Sequence, residues 1–450
     1  MTRFPKSGGD TRWEIVSAMT VHNITNEIVV RINRGSTASA QRVQRNVFRS
    51  LPNIHLDRFP QTFKQSIFSL AFNLGAILAG TLLAIYFGIF SLAPWTLAVY
   101  PGILSMRGVI GGLFSGRLST GLHIGTVRVG FTKNTKNFYT LWRATIVLTL
   151  ESSIMLGIVA SLFGMFFGGI NFMDSAAILG VVIATMALSL VLISPITVAV
   201  SVLSFRRGLD PDVTVYPVIS TVADIVVTAC YILVLNAFFS LSYTGYYLIG
   251  VFNLIFLCLV LVILSKDVRE EEFAKTIKES FLTIALVALI VNVTGSFLAR
   301  ITEVVGSRPE IYIVYPALID TIGSVGSIVG STATTKLVLG TLKSSFSSIK
   351  QHLNEIGGAW AASLVMFTLY SVISCVTQGM PVLKLLRFTA LLFATNILAA
   401  LSMVIIAYAV GILTYRKGWD PDNFVIPIES SLADTITTIS LLAALNVIGW

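Results

Sequence analysis

Two aspartates in apolar segments, Asp224 and Asp434, are the residues whose positions most directly suggest chemistry. Each lies fourteen residues after Asp210 or Asp420, the first aspartate of an Asp-Pro-Asp turn, which is about 21 Å along a helix. If these segments span a bilayer, both carboxylates lie near its middle, where a charge costs at least about 2.5–3.5 kcal/mol on insertion scales. A carboxylate is rarely retained there without a partner, a cavity or an ion.

The ligand chemistry of the two segments is that of oxygen alone. If the two halves of the chain bring Asp224 and Asp434 together, a dication between them relieves the repulsion of like charges. Carboxylates with Ser and Thr hydroxyls suit Mg²⁺, Mn²⁺ or Ca²⁺, and Mg²⁺ usually keeps several waters while touching one or two carboxylates. The three cysteines lie in apolar runs without CxxC spacing, so no zinc site or disulfide framework is expected.

An alternative stays open for the two aspartates, since each could be a structural carboxylate bonded to a neighbouring hydroxyl, Thr221 or Ser431. Asp210 and Asp420 are candidates for helix N-caps or for an acidic mouth that concentrates cations, and these roles are compatible. Further acids in or near apolar runs, which we predict as secondary ligands, are Asp320 and Glu429.

An internal repeat connects these residues. The segment SFRRGLDPDVTVYPVISTVAD at 204–224 recurs as TYRKGWDPDNFVIPIESSLAD at 414–434, at an offset of 210 residues with ten identities. A weaker pair, VYPGILSMRGVIGGLFSGRLST at 99–120 and VYPALIDTIGSVGSIVGSTATT at 314–335, has an offset of 215. At these offsets Asp320 corresponds to Ser105 and Glu429 to Ile219, so an ion site would be asymmetric. Two related halves in the same order indicate a transporter built from repeats.

Composition places the chain in a bilayer, because 55% of its residues are hydrophobic and 12% charged, where soluble domains carry about 25% charge. Apolar runs predict about eleven spans and an all-α polytopic membrane protein. The runs at 97–115 and 311–333 contain Pro and several Gly residues, and we expect broken helices there that line a path.

The order of the runs predicts four parts: a cytoplasmic tail (1–60), a five-helix repeat (61–243), a linker helix with a cytoplasmic loop (244–271) and a second five-helix repeat (272–450). Basic residues gather before the first run and in alternate loops, which predicts a cytoplasmic N-terminus and an external C-terminus in the cell membrane. Topology thus explains the net charge of +9 better than nucleic-acid binding does. Because five is odd, the linker span lets both repeats insert in the same orientation, so a monomer would work as an internal pseudo-dimer.

The Gly-x-Asp-Pro-Asp turn, the proline after it and the Ser/Thr-x-x-Asp ending at Asp224 and Asp434 resemble the MgtE family of divalent-cation transporters and its eukaryotic solute-carrier relatives. The likeness covers nearly all of the chain after residue 60. The resemblance implies the fused form, in which two five-span units are joined by an added helix. It also implies Mg²⁺ as the transported ion, with Asp224 and Asp434 as central ligands. Val109 and Ser324 stand where the family commonly has asparagine.

Divalent-cation transport along a path between the halves, without enzymatic activity, is therefore the predicted function. A proton- or sodium-coupled carrier of another solute remains an alternative, since membrane acids also serve as proton relays. A remote alternative is an intramembrane aspartyl protease with a two-aspartate dyad. Proteases of this class carry one catalytic aspartate in a Gly-x-Gly-Asp motif, whereas alanines, Ala223 and Ala433, precede the aspartates here.

Overall fold

The computed structural model describes residues 58–130, 133–167, 171–207, 211–338, 340–417 and 421–449. Within them it contains eleven helical spans that are long and apolar enough to cross a membrane, and no strand. The predicted all-α polytopic fold is confirmed. The predicted cytoplasmic tail lies almost entirely outside the described residues.

The helices before the linker form five spans, of which the first is divided by a 3₁₀ segment and the others are continuous. In chain order they are α1 (Arg58–Leu70), the 3₁₀ segment (Ala71–Gly75), α2 (Ala76–Ile85), a short α3 (Phe87–Phe90), α4 (Pro94–Ile124), α5 (Lys136–Phe167), α6 (Phe172–Arg206) and α7 (Pro211–Ser240).

The linker and the second set of five spans follow. They are α8 (Ser242–Asp267), α9 (Glu271–Val305), α10 (Pro309–Val338), a 3₁₀ turn (Phe346–His352), α11 (Leu353–Thr377), α12 (Val382–Lys417) and α13 (Pro421–Ile448). Helix α8, the linker, is the least buried of the eleven spans and leaves most of its large apolar side chains on the surface. An unpaired apolar surface of that kind is what a lipid-facing helix presents.

The prediction of broken helices at 97–115 and 311–333 is wrong. Helices α4 and α10 continue through Pro101 and Pro316. A proline inside a helix removes one backbone hydrogen bond and costs about 3 kcal/mol relative to alanine, but packing against neighbouring helices offsets this in a membrane. Both helices are among the most buried spans, and the tyrosines before the prolines, Tyr100 and Tyr315, are fully buried. The interruption occurs instead in the first span.

Each set of five spans exchanges its first helix with the other set. Helices α1 and α2 pack against α11 and α10, whereas α9 packs against α4 and α5. The exchange depends on close backbone approach: a Cβ atom at Gly80 would collide with the carbonyl oxygen of Ile313, and one at Gly295 would collide with that of Ala98. These two contacts are related by the 215-residue offset of the sequence repeat. The packing is therefore reciprocal, and neither set encloses its own core alone.

Candidate functional site

A cavity of about 190 Å³ lies between the two sets of helices and holds three of the predicted acids, Asp224, Asp320 and Asp434. Helices α7, α10 and α13 supply these acids, while α4 supplies Ser105 and the first span supplies Asn73 to the lining of the same cavity. Leu104, Gly108 and Pro316 also line it. Helices α4 and α10 thus line a central cavity as expected, although they are continuous.

A matched pair of hydrogen-bond relays positions the two aspartates of the repeat. The Tyr100 hydroxyl lies 2.9 Å from that of Thr228, which donates to the carbonyl oxygen of Asp224 over 2.6 Å. In the second half the Tyr315 and Thr438 hydroxyls are also 2.9 Å apart, and Thr438 donates to the Asp434 carbonyl over 2.7 Å.

These relays are buried, since Tyr100, Tyr315, Thr228 and Thr438 each have no exposed surface. Each relay ties the helix that carries the aspartate to the second span of the same half, α7 to α4 and α13 to α10. Buried hydroxyls need partners, so the relay fixes the rotation of the two helices about each other. Repetition of the relay gives Asp224 and Asp434 equivalent positions in the two repeats, and both side chains line the cavity.

The surroundings of the two aspartates differ, however. Asp434 is 7% exposed and accepts a hydrogen bond from the Ser105 hydroxyl. Asp224 has Asp320 within hydrogen-bonding reach, and its Oδ2 atom is buried without a hydrogen-bond partner. Ser105 and Asp320 occupy equivalent repeat positions, so one aspartate faces a proton donor and the other faces a second acid.

The remaining predicted site residues lie elsewhere. The Thr221 hydroxyl donates to the carbonyl oxygen of Phe72 over 2.9 Å, and Ser431 is fully buried. Glu429 is 2% exposed, with its carboxylate against Gly330 of α10 and its Oε1 atom without a hydrogen-bond partner. These three side chains do not line the cavity. Asp210 and Asp420 lie outside the described residues.

Sequence reasoning assigned no site role to six polar side chains that line the cavity: Ser69, Asn73, Ser220, Ser324, Ser327 and Ser430. Ser220 and Ser430 recur in the repeat one residue before Thr221 and Ser431, so the duplication itself was a signal for them. Asn73 carried no such signal, because its equivalent at the 215-residue offset is the apolar Ala288. It reaches the cavity through the exchanged first span.

The polar side chains that line the cavity offer oxygen ligands, from carboxylates, hydroxyls and the amide of Asn73. Among the described residues no three His, Cys, Asp or Glu side chains are close enough together to hold a metal ion. A volume of about 190 Å³ holds several waters at about 30 Å³ each. A hard cation that keeps much of its hydration shell and touches one or two carboxylates fits this arrangement, and Mg²⁺ binds in that way.

Comparison with known protein families gives one match, to MgtE, a divalent cation transporter family, over residues 100–234 and 315–444. The two matched regions cover more than half of the chain and contain Asp224, Asp320 and Asp434 with both relays. No curated protein and no solved structure matches the chain. Two matched regions in one chain agree with the fused two-repeat form that the repeat indicates. The chain therefore belongs to the MgtE family of divalent cation transporters, as a multi-pass membrane protein with two family repeats.

Proposed function

We propose that this protein carries Mg²⁺ across the cell membrane, through a path between its two repeats that passes the Asp224–Asp320–Asp434 cavity. The observation that carries the proposal is the convergence of three carboxylates from three helices on one cavity of about 190 Å³ inside an eleven-span bundle. Mn²⁺ and Ca²⁺ share the preference for oxygen ligands. Mg²⁺ is proposed because the cavity offers room for its waters and few direct ligands.

Membrane depth supports the same proposal. Asp224 and Asp434 each lie fourteen residues along a helix from an Asp-Pro-Asp turn, and α7 and α13 run without interruption from these turns. Carboxylates in the interior of a membrane protein mark ion paths in many transporters. We propose that the turns, with Asp210 and Asp420, lie at the cytoplasmic mouth beside Arg206, Arg207 and Arg416, and that Trp450 is external.

The second repeat contains one further acid, Glu429, that we propose to lie on the path. Glu429 lies five residues before Asp434 on α13, about 7.5 Å nearer the turn, and has no counterpart in the first repeat. We propose that it is a secondary ligand on the way to the cavity rather than part of the cavity wall. One chain supplies the whole lining of the cavity, so we propose a monomer as the transporting unit. We assign no catalytic role to any residue.

The test is the flux of Mg²⁺, Mn²⁺ and Ca²⁺ into proteoliposomes, with and without a sodium or proton gradient. We expect the Asp224→Asn/Asp434→Asn double variant to lose divalent flux while remaining monodisperse. Glu151→Gln is the matched control, because Glu151 is another acid of a span but does not line the cavity. Wild-type flux in the double variant would refute the proposal, and flux that requires a gradient would define a coupled carrier rather than a channel.

A further inference from the structure

We infer that the cation binds off the centre of the cavity, on the side formed by Asp224, Asp320 and the side-chain oxygen of Asn73. This side is called the Asp224 side, and the part of the lining with Asp434 and Ser105 is called the Asp434 side. The inference rests on the proposed function and adds to it which side chains contact the ion and which do not. It also assigns Asn73 as a ligand.

The Asp224 side and the Asp434 side of the cavity differ in charge. Asp224 and Asp320 line the same cavity within hydrogen-bonding reach of each other, whereas Asp434 already accepts a hydrogen bond from Ser105. Two like charges 4 Å apart repel by about 4 kcal/mol at an effective dielectric constant of 20. A dication relieves that repulsion on the Asp224 side, whereas the Asp434 side holds a single carboxylate, which Ser105 already hydrogen-bonds.

The two sides also differ in whether a carboxylate oxygen of the repeated aspartate lacks a hydrogen-bond partner. The Oδ2 atom of Asp224 is buried and has no hydrogen-bond partner. A buried carboxylate oxygen without a partner carries the full cost of its lost hydration. On the Asp434 side the hydroxyl of Ser105 meets that need for Oδ2 of Asp434. The unsatisfied oxygen is therefore on the side with the larger negative charge.

Asn73 lies in the 3₁₀ segment of the first span and lines the cavity. The amide nitrogen of Asn73 lies 3.4 Å from the hydroxyl of Thr321 and 3.3 Å from that of Ser324, both on α10. Thr321 in turn lies 2.7 Å from the hydroxyl of Tyr370. These contacts engage the nitrogen, so the side-chain oxygen is the atom that Asn73 offers to a ligand in the cavity. Amide carbonyl oxygens bind Mg²⁺ and Ca²⁺ beside carboxylates.

The 3₁₀ segment itself is held by the helix that carries Asp224. The Thr221 hydroxyl on α7 donates to the Phe72 carbonyl oxygen over 2.9 Å, and a Cβ atom at Gly75 would collide with the Thr221 side chain. Asn73 and Asp224 are thus tied to each other locally. On the other side the equivalent residue of α9 is Ala288, which is fully buried and has no polar side-chain atom. The asymmetry therefore includes two of the three proposed ligands, Asp320 and Asn73, which correspond to Ser105 and Ala288.

The experiment compares single variants by their Mn²⁺ dissociation constant, measured from the electron paramagnetic resonance signal of free Mn²⁺ over purified protein. Asp224→Asn and Asp320→Asn should each weaken binding by about tenfold or more, and Asp434→Asn by about threefold or less. Equal losses for Asp224→Asn and Asp434→Asn would overturn the off-centre site but leave the proposed function standing. If no aspartate variant changes binding or flux, the proposed function itself fails.

The repeat allows the acid pair to be moved to the other wall. Asp320→Ser should weaken Mn²⁺ binding, and addition of Ser105→Asp to that variant should recover part of the loss, because an Asp–Asp pair then forms on the Asp434 side. Full recovery is not expected, since Asn73 has no counterpart there. A monodisperse Ser105→Asp/Asp320→Ser protein with no recovery contradicts the inference.

Variants of Asn73 and of its hydrogen-bond partners distinguish a role as a cation ligand from a role in packing. Asn73→Ala removes the amide oxygen as well as the contacts to α10. Thr321→Val and Ser324→Ala each remove an acceptor of its nitrogen and leave the amide oxygen in place, and Thr321→Val also removes the partner of the Tyr370 hydroxyl. We expect Asn73→Ala to weaken Mn²⁺ binding by about fivefold or more, and each of the other two variants to change it by less than about twofold. Similar losses in all three would make Asn73 a packing residue and overturn its assignment.

Discussion

The hydroxyl groups of Tyr100 and Thr228 lie 2.9 Å apart, and the same separation recurs between Tyr315 and Thr438 in the second repeat. Each threonine also donates to the backbone carbonyl of the aspartate one turn before it. Because these aspartates line the central cavity, the relay connects helix packing directly to the geometry of the proposed ion site. Its loss should affect stability and transport together.

Thr228→Val is expected to destabilise the protein more than Tyr100→Phe. The valine leaves the buried Tyr100 hydroxyl without its partner, which costs about 1–3 kcal/mol. The phenylalanine removes the hydroxyl itself, while Thr228 keeps its bond to Asp224. The loss of one typical interhelical hydrogen bond in a membrane costs about 0.6 kcal/mol. Thermal unfolding in detergent measures the difference, and Mg²⁺ flux should fall in the same order.

Thr185→Val is the matched control for this prediction. Thr185 is fully buried in α6, and its hydroxyl donates to the carbonyl oxygen of Val181 within the same helix over 2.8 Å. Its replacement should leave flux near the wild-type level. A loss of flux as large as that of Thr228→Val would show that any buried threonine has this effect, and the relay would have no special role.

Gly80→Ala and Gly295→Ala should each destabilise the protein, because a Cβ atom at either position meets a backbone carbonyl of the other repeat. Overpacking of this kind costs about 1–3 kcal/mol, and a backbone atom cannot move aside as a side chain can. Gly116→Ala in α4 is the control, since its Cβ would meet no atom within 4 Å. That change should leave stability unchanged or raise it by up to about 1 kcal/mol. Melting temperatures of the three variants, measured side by side, check the prediction.

Sequence reasoning predicted the parts of this structure that depend on local pattern. Apolar run length predicted eleven spans, and the repeat offset identified Asp224, Asp434 and the Ser105–Asp320 equivalence from the sequence alone. The structure brings all four side chains to one cavity. Their roles as ligands stay a prediction, but their convergence follows from duplication, because equivalent helices occupy equivalent places.

Features that depend on contacts between the halves could not be predicted in this way. The exchange of the first span is decided by backbone approach at Gly80 and Gly295, and glycine in an apolar run does not indicate which helix it meets. Asn73 therefore gave no sign that it would reach the cavity. The expectation of broken helices failed for a related reason, since Pro101 and Pro316 lie in helices whose neighbours hold them in place.

The predicted orientation can be tested by labelling cysteines introduced into two connections of the second repeat. Ser307, between α9 and α10, is exposed and predicted to be external, whereas Ser347, between α10 and α11, is exposed and predicted to be cytoplasmic. In intact cells a membrane-impermeant maleimide should label Ser307→Cys, and it should label Ser347→Cys only after permeabilisation.

The native cysteines provide the background for that measurement. Cys230 and Cys375 are buried, and Cys258 lies within the linker span, so unmodified protein should label weakly in intact cells. The reverse pattern would invert the orientation proposed for the mouth at the Asp-Pro-Asp turns. Labelling of both positions from the same side would show that α10 does not cross the membrane.

The last prediction concerns a buried ionic cluster of the second repeat. Lys336 of α10 lies 2.6 Å from Glu355 of α11, and the Nδ1 atom of His352 lies 3.1 Å from the Lys336 ammonium. The Lys336 and Glu355 side chains are 12% and 7% exposed. Lys336→Met should destabilise the protein by about 3–5 kcal/mol, because it leaves the Glu355 carboxylate buried without its cation.

The double variant Lys336→Met/Glu355→Leu should be clearly more stable than Lys336→Met alone, since replacement of a whole buried pair by apolar side chains is often neutral. Lys275→Met is the control, because Lys275 and Glu279 form a pair that is 70% and 55% exposed and lies 3.7 Å apart. An exposed helical pair of this kind contributes about 0.3–0.5 kcal/mol. Thermal unfolding of the three variants distinguishes the cases. If the double variant is as unstable as Lys336→Met, the loss of stability does not come from an uncompensated Glu355 charge.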